Sequence, residues 1–185
     1  MKSPAAAQGE AVRRRLLAAA IELIPERGWA AVSTRVLAER AGVTPSVVHY
    51  HFASVQALLT EAVLGAMRSV AGEFEPHLAT AGTPEQLVDA MVAAVQPYTG
   101  VDPMSLLFVE AYLAATRDDN LRAGIAGVLA DLRGALGRRL RQLGVADPEG
   151  VATVLAAAID GLILHRAVDP DAAPAEVAGI LRRLV

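Results

Sequence analysis

Apolar residues return at helical intervals from the start of the chain. Val12, Leu16, Ala19, Ala20, Leu23 and Ile24 form one stripe and predict a first helix over about residues 8–27. Pro25 lies in its last turn, where the missing N–H removes the bond to the Ile21 carbonyl and predicts a bend or an early end. Gly28 is the natural C-cap. Two short segments follow, over about 34–41 and 45–50. In the first, Val36, Leu37 and Arg40 fall at helical spacing, and Ala38 is small enough to admit another helix; in the second, Val48 and Phe52 are four apart and point inward together. Longer apolar-periodic stretches then begin near residues 54, 84, 102, 119, 148 and 174. The fourth helix carries Leu58, Leu59, Val63, Met67 and Val70 inward, and the fifth, over 84–99, carries Leu87, Val88, Met91 and Val95. Asp102-Pro103, Asp118 and Asp147-Pro148-Glu149 are helix-start signals for the sixth, seventh and eighth, and Pro174 with Glu176 opens a ninth. Strand alternation and internal repeats are absent from the pattern, so the expected fold class is all-α with nine helices.

The turn chemistry between the second and third helices is the most specific local signal. Ser33 or Thr34 is placed to cap the second helix, and Gly42 sits where the chain must turn sharply, at a φ that glycine adopts without steric cost. Thr44 is a second N-cap candidate, and Pro45 occupies a first helical position, where its missing N–H is harmless. Two short helices around such a turn make a helix-turn-helix, a shape that enters the major groove of DNA. The expected organisation is a flexible tail over 1–9, a helix-turn-helix head over 10–53 and a helical body over 54–185.

The residues Gly28-Trp29, Ser33-Thr34-Arg35, Ala41-Gly42-Val43, His49-Tyr50-His51-Phe52 and Ala57-Leu58-Leu59 resemble the tetracycline-repressor (TetR) family of bacterial transcription regulators. The resemblance is specific over the first third of the chain; beyond it, length and helical layout agree. It implies a sequence-specific regulator, most simply a ligand-released repressor that binds a palindromic operator as a dimer. It places Arg35 at the start of the second helix, close to the groove, and it implies a small-molecule pocket in the body. The chain makes three departures from the family pattern: His49 stands in place of a phosphate-contacting tyrosine, Val55 in place of a phosphate-gripping lysine, and Ser46-Val47 in place of Gly-Thr. The alternative is therefore a helical small-molecule-binding dimer whose head has weak or lost DNA affinity.

Composition narrows the chemistry. The chain has 185 residues, 54% apolar but only 4% aromatic, a mix that favours helices packed closely through small residues. It has no cysteine, which excludes disulfides, cysteine–metal sites and thiol catalysis. The formal net charge is −3, but residues 1–60 hold seven basic and four acidic side chains, so a head of +3 is joined to a remainder of −6. The longest uncharged apolar run, Val151 to Ile159, is too short to span a bilayer, and the N-terminus lacks the apolar core of a signal peptide. The expected location is cytoplasmic, with no membrane partner.

The candidate DNA-binding residues are Ser33, Thr34, Arg35, Thr44, Pro45, Ser46, Val47, His49, Tyr50 and His51. Arg35 is the first candidate for a base contact, since a guanidinium fork takes guanine O6 and N7 together; the competing interpretation is a solvated helix arginine. The hydroxyls of Thr34, Thr44, Ser46 and Tyr50 suit phosphates or base edges, and Val47 suits a thymine methyl. His49 and His51 point about 200° apart on a helix and cannot share a metal ion. Arg13, Arg14 and Arg15 suit a solvated face, with one of them within reach of a phosphate. Neither a phosphate loop, a zinc-type spacing nor a nucleophile elbow is present, so no enzyme, cofactor or metal is expected. The double-stranded operator and a small apolar effector are the expected partners. For the effector, the candidates are Met67, Phe74, Met91, Tyr98, Met104, Phe108, Tyr112 and His165, each equally explicable as core, with Asp160 and His165 as possible polar anchors.

The eighth helix poses a conflict, because between Val151 and Leu164 only Thr153 and Asp160 are polar. A helix that is apolar nearly all round must be covered nearly all round. A second copy is the simplest cover, through Val151, Leu155, Ile159 and Leu162 with Val177, Ile180, Leu181 and Leu184 of the ninth helix; a central core helix in a monomer is the alternative.

Overall fold

The computed structural model describes residues 4–170 and 174–185. Among these residues the chain forms nine α-helices and two 3-10 turns, with no strand: α1 (Pro4–Arg27), α2 (Thr34–Ala41), α3 (Pro45–His51), α4 (Val55–Thr80), α5 (Pro84–Ala94), α6 (Pro103–Ala115), α7 (Asp119–Gln142), α8 (Pro148–Arg166) and α9 (Pro174–Leu181). The 3-10 turns are Trp29–Ala31 and Arg182–Leu184.

Start signals act as expected at most helices. Asp118 Oδ1 accepts from the amides of Asn120 (2.9 Å) and Leu121 (3.0 Å), and Asp147 Oδ1 accepts from Gly150 N–H at 3.2 Å. Asp102 gathers the loop ahead of α6: its carboxylate accepts from the amides of Thr99 (2.7 Å), Met104 (3.1 Å) and Ser105 (3.0 Å) and from the buried Ser105 hydroxyl. Burial alone would raise the Asp102 carboxyl, but these bonds to the charged form together outweigh it and hold the carboxyl below its usual range.

Three expectations are corrected. Residues 4–9, expected as tail, continue α1, while residues 1–3 lie outside the described residues. Pro25 does not end α1, which runs on to Arg27 and stops at Gly28, whose N–H donates to Ile24 O at 2.9 Å. A proline near a C-terminus removes one bond only, and the chain tolerates it. The fifth helix stops at Ala94 rather than 99, because Pro97 cannot continue the ladder.

The chain divides into two compact units. The first comprises residues 1–66 and 106–124, so it contains α1 to α3 and the first part of α4 together with most of α6 and the start of α7. Its interior is built on Leu16, Leu23, Ile24, Leu37, Leu58, Leu59, Leu107 and Leu121, all fully buried. The head expected over 10–53 is thus part of a larger packed body, because α2 and α3 are too short to bury a core alone. Within this unit Gly124 lies against Leu64, and a Cβ there would meet Leu64 Cδ1 at 2.5 Å.

The second unit comprises residues 67–105 and 125–185. Its core joins Leu78, Leu87, Val88, Met91 and Val95 to Leu136, Leu140, Leu155, Ile159 and Leu162. Arg166, at the end of α8, donates to the carbonyls of Val95 and Tyr98, both at 2.9 Å, and so satisfies the open end of α5. Beside it Gly100 adopts φ +83°, and a Cβ there would collide with Ala167 N and lie 2.6 Å from Ile163 O.

Contrary to the expectation from run length, α8 is long and apolar enough to cross a membrane, with 19 residues and a mean hydropathy of 1.3. Counting only uninterrupted apolar residues hid this, since Asp160 breaks the run without breaking the helix. In the structure one face of α8 (Ala152, Leu155, Ile159 and Leu162) is seated in the core.

Gly100 therefore allows neither a side chain nor a negative φ. Gly100→Ala is expected to cost at least about 2 kcal/mol and to lower the thermal midpoint by roughly 5–10 °C in a calorimetric or circular-dichroism melt. A midpoint within a degree of the wild type would contradict the packing described for α5 and α8.

Candidate nucleic-acid interface

The candidate interface starts from its local turn. Ser33 is extended (φ −111°, ψ 165°), and its hydroxyl accepts from Val36 N–H at 3.4 Å, opening α2. Leu37, Ala38 and Ala41 bury the inner face of α2. Gly42 then takes the left-handed conformation (φ 64°, ψ 43°), and Val43 N–H returns to Ala38 O at 2.9 Å. That pair of features is the αL closure of a helix, and it turns the chain directly into α3. Thr44 is extended at the N-cap and Pro45 is the first residue of α3, but the Thr44 hydroxyl does not cap; it lies 2.9 Å from the Ser46 hydroxyl. Val48 and Phe52 are buried, so α3 is anchored by its inner face and its C-terminal end.

The remaining side chains turn outward. Ser33, Arg35, Thr44, Pro45, Ser46, His49 and Tyr50 are exposed, and Thr34, Val47 and His51 are half-buried. Tyr50 is 84% exposed, among the largest open apolar surfaces of the chain, and its ring meets the His51 ring edge-on at 5.1 Å. All ten predicted DNA-binding residues thus lie along one short segment, seven of them fully open to a partner.

The arginines separate into two kinds. Arg35 forms no ion pair among the described residues and is exposed. Arg40, by contrast, is held by Glu22 (2.9 Å) and Glu26 (2.6 Å) of α1, which raises its pKa further and lowers that of Glu26. Arg13 forks onto Glu61 of α4, and its guanidinium carbon lies 4.7 Å from the centre of the Phe52 ring. Arg13 braces the end of α3 from a side chain that stays partly open to solvent. Arg14 and Arg15 are exposed. Val55, where the family pattern has a lysine, is the half-buried first residue of α4, and Ser54 caps that helix through Ala57 N–H at 3.0 Å.

Sequence reasoning missed Glu110. This α6 carboxylate accepts from the Trp29 backbone N–H at 2.8 Å, and the Trp29 indole N–H donates to Gln56 Oε1 at 3.0 Å. The two partners of the first bond are 81 residues apart, so no local pattern announces it.

The predicted effector residues are not gathered into one place. A cleft of about 410 Å³, including its open mouth, lies within the second unit and is lined by Phe74, Leu78, Met91, Leu129, Leu132, Leu136, Ala156, Ile159 and Asp160. Of the eight predicted residues only Phe74 and Met91 line it. Met67 is buried, Tyr98 and Met104 are half-buried beside the α5–α6 loop, and His165 is exposed near the end of α8. Phe108 and Tyr112 belong to the first unit. Burial pushes the Tyr98 hydroxyl to a higher pKa. Asp160, a candidate polar anchor, also lines the cleft; Leu78, Leu129, Leu132, Leu136 and Ala156 were not among the sequence candidates, because a leucine on a buried stripe looks the same whether or not a cleft opens beside it.

The predicted dimer surface is corrected in part. Leu155, Ile159, Leu162 and Leu181 face this chain's own core and are buried, and Val151 and Val177 are half-buried. The open stripe is on the other side of α8, at Val154 (50% exposed), Ala157 and Leu164 (53%), and Val168 (84%) just past its end is open too; Ile180 (54%) and Leu184 (43%) are the exposed members of the C-terminal segment. A helix apolar on every face gives no sequence signal of which stripe turns inward.

Known proteins share both the head and the body. Residues 16–62 match the family described as bacterial regulatory proteins, tetR family, and residues 82–185 match a tetracyclin repressor-like C-terminal domain. The chain is 29% identical over 162 residues to the HTH-type transcriptional regulator BetI of Rhizobium meliloti, covering 86% of this chain and 80% of that one. The transcriptional regulator SCO7518 of Streptomyces coelicolor A3(2) superposes with a TM-score of 0.81 at 31% identity, over 94% of this chain and 97% of that one. A regulator from Saccharomonospora viridis, solved in complex with choline, has the same fold, with a TM-score of 0.77 at 22% identity over 94% and 95% of the two chains.

Arg13 provides a test of the brace. On a duplex selected by the wild-type chain, Arg13→Met is expected to weaken binding about tenfold while leaving the slope of log Kd against log salt unchanged. A slope reduced by about one per subunit would instead make Arg13 a phosphate contact.

Proposed function

The chain belongs to the tetracycline-repressor (TetR) family of bacterial regulatory proteins, and on that premise we propose that it is a homodimeric repressor that leaves a palindromic operator when a small effector fills the cleft of its second unit. The observation that carries this is the division of α2 and α3 into a buried apolar side and an open polar side that ends in an unpaired Arg35. A short helix presented in this way enters the major groove, with Arg35 reading guanine and the hydroxyls of Thr34, Thr44, Ser46 and Tyr50 meeting phosphates or base edges. His49 and Val55 supply fewer backbone contacts than the family pattern, which leaves more of the affinity to Arg35 and to the exposed Arg14 and Arg15. The protein acts in the cytoplasm, where the operator is.

The second copy covers the open stripe of α8. Val154, Ala157, Gly161 and Leu164 recur at helical spacing on the side of α8 opposite the core residues, and Val168, Ile180 and Leu184 are further exposed apolar side chains of the same unit. Only 28% of the apolar α8 segment is buried within the chain, which is the signature of a helix that expects cover. Two such stripes meeting about a two-fold axis would set two recognition helices about 34–36 Å apart, one turn of DNA.

The effector is small and largely apolar, since eight of the nine residues lining the cleft are apolar. A compact organic cation is a second candidate, because Phe74 and the Asp160 carboxylate both line the cleft and the S. viridis relative holds choline. Binding shifts the population toward subunit arrangements whose heads no longer match successive grooves. Helix α4, which begins in the first unit and ends in the second, is the continuous element available to carry the change.

Two outcomes follow. Selection from a random duplex pool should return a palindrome, and Arg35→Ala should relax one base pair per half-site at a cost of about 1–3 kcal/mol; unchanged preference would remove Arg35 as a reader. A chain that retains no duplex at all favours the ligand-binding dimer without DNA affinity. Leu164→Asp should turn a dimer into a monomer by sedimentation at micromolar concentration without lowering helicity, and a persistent dimer would place the interface elsewhere.

A further inference from the structure

The corner between α1 and α2 is built so that a carboxylate from α6 can reach its backbone. Gly28 ends α1 in the left-handed region (φ +81°), which turns the next amide, that of Trp29, away from the helix ladder. Glu110 receives that amide at 2.8 Å. The turn needs glycine for its backbone: a side chain at residue 28 is strained at this φ, while the Glu110 carboxylate lies at ordinary contact distance from where a Cβ would stand. The indole of the same residue is fixed separately, by Gln56 of α4. Ser33, the cap of α2, follows four residues later, so the corner sets where α2 begins.

Glu110 is half-buried and forms no ion pair among the described residues. A carboxylate in such a place is costly unless hydrogen-bonded, and its named partner is a main-chain donor, not a cation. Its contribution is therefore to position the backbone. The same helix begins within the second unit, at the Asp102 cap cluster, and ends in the first.

We propose that Glu110 is a positioning residue for operator recognition: by holding the Trp29 amide it fixes the α1–α2 corner on α6, and with it the setting of the recognition segment. The inference rests on the DNA-binding function proposed above. Loss of the bond lets the corner shift, so the head loses the register that a specific site demands, while the charges that meet any phosphate backbone are untouched.

The experiment compares Glu110→Met, which keeps length but removes the acceptor, with Glu110→Gln, which keeps an acceptor oxygen without the charge. Each is titrated against the duplex selected by the wild-type chain and against an unrelated duplex. Glu110→Met is expected to weaken specific binding about tenfold and to leave the unrelated duplex unchanged, while Glu110→Gln stays within about threefold of wild type. A folded Glu110→Met that weakens both duplexes equally would overturn the assignment, as would a wild-type affinity in Glu110→Met. Trp29 is the sole tryptophan, and its emission should change in Glu110→Met but not in Glu110→Gln. Should Glu110→Met not fold, hydrogen exchange of the Trp29 amide decides: protection in the wild type and in Glu110→Gln supports the bond, and fast exchange in the wild type removes it. A wild-type chain that selects no duplex rejects the DNA-binding function itself, a result separate from the failure of Glu110.

Discussion

Helix α3 has seven residues, and a helix of that length does not hold its shape in water. Everything the head presents outward depends on what grips α3 from within. Val48 and Phe52 supply that grip, one turn apart on the inner side, both almost wholly removed from solvent. The αL turn at Gly42 fixes the entry, and Pro45 arrives with its φ already set for the first turn. The exposed side is free to carry Ser46, His49 and Tyr50 because none of them is needed for folding.

This dependence explains how the charges of the first unit are used. Of its basic side chains, Arg40 and Arg13 are spent on intramolecular braces, one tying α2 to α1 and the other tying the end of α3 to α4. Exposed pairs of this sort stabilise only modestly. Their geometric effect is larger than their energy, because a fork on a carboxylate defines an angle as well as a distance. The net positive charge of residues 1–60 therefore overstates what faces DNA, and Arg14, Arg15 and Arg35 are the arginines left open there along with Arg27.

How much of this was legible in the sequence follows the range of the interactions. The helix-turn-helix was readable because each of its signals is local: a serine cap three residues from its amide, a glycine at the turn, a proline at N1, and two apolar residues four apart. The α4 and α5 inward stripes were readable for the same reason. The braces were not, since Arg13 with Glu61 and Glu110 with Trp29 are joined across 48 and 81 residues, with nothing in either segment to mark the partner. The cleft was half legible: Phe74 and Met91 stood out as large and soft, but its leucines are ordinary core residues until a neighbour is missing. In α8 the conflict was readable and its direction was not. Leu155 and Leu164 differ in no intrinsic property, and only the placement of α5 and α7 decides that the first turns in and the second out.

The same economy bears on how the head is held. A recognition helix that was stable alone would keep its setting whatever the rest of the chain did. Here α3 and the start of α2 have no stability apart from their supports, and those supports stand on α1, α4 and α6. Two of these, α4 and α6, contain residues of both compact units, as does α7. The corner at Gly28 is held by a carboxylate of α6, and the ring of Phe52 by Arg13 of α1, itself forked onto a carboxylate of α4. The setting of the reading element is decided by side chains outside it, which is why the segment itself need supply no more than an inner apolar pair and an open polar face.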